Sequence, residues 1–226
     1  TFRFIGIIVK KILTIGLAPF LLNACASLVV FFVNNALRTT GGDISIGAYG
    51  NVNRVLLFFI MIVAGLNQGM QPIVGYNFGA RQFDRVLKAL RLTITSAVCV
   101  MTVGFILGQF FPASVAKMFT DDPTLIAVTE QGLRITILAF PIVGFQIVSS
   151  NFFQYIGQPQ KAIVLSMTRQ LLFLVPMLAL LPPRYGTMGV WMSFPIADVA
   201  AALLAGTLLF FQVRLMRKHP DRVKVI

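Results

Sequence analysis

Residues 47–75 read GAYGNVNRVLLFFIMIVAGLNQGMQPIVG, and Val55 to Leu66 within them carry no ionisable side chain. At about 1.5 Å per residue, a helix of this length is longer than the roughly 30 Å hydrocarbon core of a bilayer. A straight perpendicular crossing therefore leaves residues over. Gly65, Gly69, Pro72, Gly75 and Gly79 punctuate the latter part, so tilt, a kink or a broken end is expected there, with these residues serving as a hinge or as sites of close packing.

Outward from this stretch the pattern repeats. Apolar segments at 15–37, 92–114, 131–155, 162–181 and 188–213 each end at charge, Gly or Pro, which makes six spans with 47–75. The 226-residue chain is 57% hydrophobic and 12% charged, with a mean hydropathy of +0.85. An average soluble domain carries about 25% charged residues, because its surface is solvated by water. Lipid is the solvent this composition fits, and the fold class it implies is an all-α membrane protein.

The formal charge of +12 does not point to nucleic acid, since the basic residues fall in clusters between long apolar runs rather than on one face. Alternating the spans from a cytoplasmic N-terminus puts thirteen of them inside: Arg3, Lys10 and Lys11, then Arg81, Arg85, Lys88 and Arg91, then Lys161, then Arg214, Arg217, Lys218, Arg222 and Lys224. Only Arg38, Lys117 and Arg184 fall outside. The positive-inside rule then places both termini in the cytoplasm and the chain in the plasma membrane, with 214–226 as a basic tail. Tyr49, Tyr76, Tyr155, Tyr185 and Trp191 all fall near expected rims, where a ring with a polar handle is stable. Residues 1–14 place Phe2, Ile5, Val9 and Ile12 at helical spacing, with Arg3, Lys10 and Lys11 in another sector. An amphipathic surface helix or an extension of the first span both fit. The start at Thr1 rather than Met suggests sequence missing upstream.

Catalysis finds no support. The one histidine, His219, lies in the tail, Cys25 and Cys99 sit in apolar stretches, and there is no metal-ligand spacing or phosphate loop. The chain is expected to be no enzyme and to hold no metal or organic cofactor. Arg54, Arg169 and Asp198 are the charges at membrane depth, where ionisable groups cost several kcal/mol and face a partner or a wet cavity. Arg169 and Asp198 are equidistant from the turn at Pro182–Pro183–Arg184, so they reach similar depth on antiparallel helices and can pair. Arg54 joins them or snorkels outward. A structural tie and a proton or ion relay both fit this cluster. Asp198→Asn separates them: lost folding marks the tie, and normal folding without pH-driven transport marks the relay. Asn34, Asn67, Gln68, Gln71, Gln146, Asn151 and Gln154 fit interhelical hydrogen bonds or a polar path. Glu130 and Arg134, at i,i+4, fit a surface ion pair.

The segment from Gly65 to Ala80, GLNQGMQPIVGYNFGA, resembles the end of the eighth span of the multidrug and toxic compound extrusion (MATE) transporters. Three stretches agree in order: GQPQKA at 157–162, SMTRQ at 166–170 leading to Pro176, and GVWMSFPIAD at 189–198. The opening GLAP at 16–19 is similar to that family's seventh span. The resemblance covers essentially the whole chain. It implies the C-terminal lobe of a twelve-helix transporter, with residues 1–14 ending the inter-lobe linker and the N-terminal lobe absent. It implies export of organic cations or drug-like compounds, by alternating access, in exchange for H+ or Na+. The sodium-coupled branch carries acids in its seventh and tenth spans. Here the first span has none and the fourth has Glu130 at its edge, so the coupling acid is expected in the missing lobe. A lipid-linked saccharide flippase of the same wider superfamily is the nearest alternative, and a six-span oligomeric channel or scaffold is the more distant one.

Overall fold

Gly42 is where the chain first turns. The computed structural model describes residues 6–218, with side chains from residue 24 onward. Helix α1 (Gly6–Gly79) is interrupted only at Gly42, whose φ of 66° and ψ of −164° lie where glycine alone is comfortable. The first and second expected spans thus lie on the two arms of one bent helix, and the loop expected between them shrinks to a single residue. Local hydrogen bonds explain the economy: Thr39 and Thr40 donate back to Ala36 O, and Ser45 donates to Gly41 O. Polar side chains near the bend are satisfied by their own helix, so no irregular backbone is required. Across the bend, Thr187 Oγ1 donates to Thr40 O at 3.2 Å.

The second arm departs from expectation at its far end. It remains helical from the bend through Gly79, with no break among the glycines of 65–79. The helix stops only after them, where Arg81 adopts a φ of 56° and Gln82 N–H returns to Asn77 O. Arg81 occupies the left-handed position usually given to glycine at a helix end.

Four further segments follow. Helix α2 (Phe83–Phe110) begins within the basic cluster, ahead of the expected position 92, and Phe111–Pro112 ends it. A short α3 (Pro112–Lys117) leads to α4 (Pro123–Thr136), capped by Asp122, whose carboxylate accepts from the N–H groups of Thr124 and Leu125. Pro123 suits the first helical turn, and the element starts ahead of the expected position 131. One 3₁₀ turn joins α4 to α5 (Phe140–Tyr155). Then α6 (Pro159–Met167) widens into a π-helical stretch at Thr168–Leu174 and resumes as α7 (Val175–Leu180). A single turn, α8 (Pro182–Tyr185), closes the hairpin to α9 (Thr187–Lys218). The expected surface helix at 1–14 and tail at 214–226 fall partly outside the described residues. Neither residues 1–5 nor 219–226, His219 among them, belong to the described structure.

Among the described residues five continuous helical stretches are long and apolar enough to cross a membrane, and the first of them is bent at Gly42 into two arms. The fold is an all-helical membrane bundle. Its interior is closed by glycines that admit neighbouring side chains or backbone. A β-carbon on Gly144 would lie 2.9 Å from Ala97 O, and one on Gly132 would strike the Trp191 ring at 2.8 Å. Gly104 receives the rings of Phe59 and Phe140, and Gly108 receives Ile137. Close approach of backbones is how helices gain van der Waals contact when lipid supplies no hydrophobic drive. Trp191, which the sequence reading puts near a rim, is 1% exposed, with its ring packed inside the bundle. The Gly132 slot accounts for this: it admits the edge of the indole's six-membered ring, and Tyr49 lies beside Trp191 and stacks on Phe194.

Candidate functional site

The hairpin of α6–α7 and α9 carries two of the three charges expected at membrane depth, Arg169 and Asp198. Pro176 has no N–H to return to the preceding turn, and the helix before it relaxes into the π-helical stretch that begins at Thr168. Pro195 removes a second helical hydrogen bond, in α9, one turn before Asp198. The ion pair sits between these two irregularities. Arg169 Nε donates to Asp198 Oδ1 at 2.6 Å, with Asp198 buried and Arg169 half-buried. Each charge thereby lowers the desolvation cost of the other. Gln170, the next residue along the widened turn, keeps Oε1 buried without a hydrogen-bond partner.

Arg54 stands apart from this pair. It lies on the exposed side of the second α1 arm and forms no ion pair among the described residues. Of the two expectations for Arg54, joining the pair or turning outward, the exposed position fits the second. Helical phase is the reason: Asn51, Val52 and Val55 turn into the core, which sends Arg54 outward.

The polar residues also divide. Asn67 and Gln146 are buried. Asn67 Nδ2 donates to Val63 O at 3.0 Å, while Asn67 Oδ1 and Gln146 Oε1 have no partner. Asn34 and Asn151 are half-buried, and Gln68, Gln71 and Gln154 are exposed. They do not form one continuous row. Gln68 and Gln71 instead belong with Arg54, Phe58, Met61 and Tyr76 to the uncovered face of the second α1 arm.

The glycines of this arm share that face. A β-carbon at Gly65, Gly69 or Gly79 would meet nothing within 4 Å, and at Gly75 only Tyr155 O at 4.0 Å. Pro72 is exposed beside them. Within this bundle no neighbouring helix packs against these glycines. Close packing is found instead at Gly104, Gly108, Gly132 and Gly144, and at Gly189, where a β-carbon would meet Leu181 O at 2.5 Å.

Several contacts escaped the sequence reading. Ser150 Oγ lies 3.1 Å from Ser166 Oγ and 3.3 Å from Ala162 O, tying α5 to α6. Lys161 Nζ donates to Gln212 Oε1 at 3.3 Å and stands 5.4 Å above the Phe153 ring. A lone Gln212 within an apolar run was the available signal for the second of these. Glu130 and Arg134 form the expected i,i+4 pair at 3.0 Å.

Comparison with known proteins places this geometry. The MatE family model matches residues 17–180. The chain is 28% identical over 201 residues to the multidrug export protein MepA of Staphylococcus haemolyticus (strain JCSC1435), covering 87% of this chain and 43% of that protein. It is 25% identical over 205 residues to MepA of Staphylococcus aureus (strain N315), covering 89% and 44%. Its fold is similar to an inward-facing multidrug resistance MATE family transporter of the MOP superfamily, with a TM-score of 0.87 at 23% identity, covering 96% of this chain and 51% of that one. An outward-facing structure of such a transporter gives 0.84 at 23% identity, covering 96% and 49%. The chain spans less than half the length of the curated relatives it matches.

Proposed function

The chain belongs to the MatE family of membrane transporters, and from that premise we propose that it forms the C-terminal lobe of a secondary active multidrug exporter. In this reading a second six-span lobe completes the molecule, and substrates are organic cations or other drug-like compounds. Exchange for H+ or Na+ drives export as the two lobes rock about a shared cavity. Both termini lie in the cytoplasm, as the thirteen-to-three distribution of basic loop residues favours.

One observation carries the proposal: the uncovered face of the second α1 arm. Arg54, Phe58, Met61, Gln68 and Tyr76 are exposed there beside glycines with open space above them. Apolar contact area from Phe and Met, with a few polar groups to orient a ligand, suits drug-like molecules of varied shape. A lipid-linked saccharide flippase needs a more basic surface for its phosphates. Arg54 is the one cation on this stretch of α1 from Gly50 to Gly79, and Arg169 is engaged by Asp198.

Dye efflux tests this. Energised cells expressing the chain together with a complementary N-terminal lobe are expected to extrude an ethidium-like dye faster than empty-vector cells. Collapse of the proton or the sodium gradient identifies the ion. The chain alone is expected to match the empty vector. No efflux from the two-lobe protein, or full efflux from this chain alone, overturns the proposal.

A further inference from the structure

Between the start of α2 and the end of α9 lies a groove of about 1010 Å³. Arg81, Arg85, Lys88 and Arg91 line one side and Arg217 the other, with Asp84 as the acid among them. All five cations are exposed, and the ion pairs of the described residues, Arg134–Glu130 and Arg169–Asp198, involve none of them. Arg85, Lys88 and Arg91 follow one another at three-residue intervals on α2, so like charges stack along the helix at a cost in repulsion, and Arg81 adds a fourth from the turn before it. Arg81 is held there in a left-handed conformation that a non-glycine residue adopts with strain.

The groove changes character along its length. Leu87, Leu90 and Ile94 of α2 face Leu209, Val213 and Met216 of α9 below the charged end. A free phosphate has no use for such an apolar floor. An amphiphile with an anionic head and a hydrocarbon tail matches both parts, because its head neutralises the stacked cations and its chain covers the half-buried Leu87, Ile94 and Val213. Basic pockets between membrane helices at the cytoplasmic surface suit lipid phosphates for this reason. On the orientation proposed above, this end faces the cytoplasmic leaflet.

We infer that this groove is a binding site for an anionic phospholipid, with the headgroup phosphate held by Arg85, Lys88 and Arg91 and one acyl chain laid between α2 and α9. The site is separate from the exposed α1 face and from the Arg169–Asp198 pair.

Native mass spectrometry of the purified full chain in non-ionic detergent tests the inference, with phosphatidylglycerol and phosphatidylcholine of matched acyl chains as probes. Phosphatidylglycerol is expected to be retained in clear excess over phosphatidylcholine. Each cation removed is expected to weaken retention about fivefold, so Arg85→Gln/Lys88→Gln/Arg91→Gln brings it down to the phosphatidylcholine level. Arg85→Lys/Arg91→Lys, which keeps the charge, is expected to retain most of the binding. Lys88→Gln alone gives a single-step readout that does not depend on the triple variant folding. Equal retention of the two lipids by the unaltered chain overturns the inference. Displacement of bound lipid by inorganic phosphate, which would mean the site reads phosphate without the chain, overturns it as well.

Discussion

Asp198 is a carboxylate with 6% of its surface exposed, held by one hydrogen bond from Arg169. Deleting one member of such a pair leaves the other buried and uncompensated, which costs about 3–5 kcal/mol. Asp198→Ala is therefore expected to lower the detergent-state unfolding temperature sharply. The apolar double variant Arg169→Met/Asp198→Leu is expected to recover most of the loss, because it removes both desolvation costs together. Thermal unfolding of the three proteins checks this, and a double variant as unstable as the single would contradict a structural tie. The pairing was legible in the sequence because two residues equidistant from a proline turn reach the same depth. The exclusion of Arg54 was not, because depth gives no information about helical phase. Trp191 shows the same limit from the other side: its place along α9 was readable, but the slot at Gly132 that takes its ring inside comes from a different helix.

Among the elements, α1 and α2 carry the same small-residue spacing with opposite outcomes. Gly104 and Gly108 on α2 touch Phe140 and Ile137, whereas Gly65 and Gly69 on α1 touch nothing within this bundle. A GxxxG spacing tells where a helix can be approached, and the approaching helix has to come from the rest of the fold. This is why the glycines of 65–79 stood out in the sequence while the packing glycines of α2, α4 and α5 went unread. Gly144→Val, placing carbon against Ala97 O and Met101, is expected to destabilise the chain by about 1–3 kcal/mol. Gly65→Ala is expected to be neutral or slightly stabilising in the same unfolding assay, since it adds helix propensity without a clash. Equal losses for the two would contradict the assignment of an open α1 face. At the bend, Gly42→Ala forces a β-carbon into a backbone region that is nearly glycine-only, at a cost of about 1–3 kcal/mol. An unchanged unfolding temperature for Gly42→Ala would mean that the two arms meet in some other way.

For the whole molecule, six crossings, their order and the basic loops follow from hydropathy and charge alone, since lipid tolerates few alternatives to apolar helices. The shrinking of the first loop to Gly42 and the π-helical turn before Pro176 depend on local hydrogen bonding that hydropathy averages away. What the bundle leaves open is its most informative feature. One arm of α1 presents arginine, glutamine, phenylalanine, methionine and bare glycine backbone to the outside, in a chain that spans less than half of its relatives' length. A lipid-facing helix has no need of Arg54, Gln68 and Gln71 on its outer side. A helix lining a cavity shared with a second lobe does.

Cysteine accessibility at Gln68 measures that difference directly. With Cys25 and Cys99 replaced by alanine, Gln68→Cys in the two-lobe protein is expected to react with a water-soluble maleimide in membranes, and an exported organic cation is expected to slow the reaction. A cysteine at Gln68 that stays unreactive toward the water-soluble reagent, yet is readily modified by a lipid-soluble one, would contradict the account: the α1 face would then look onto lipid.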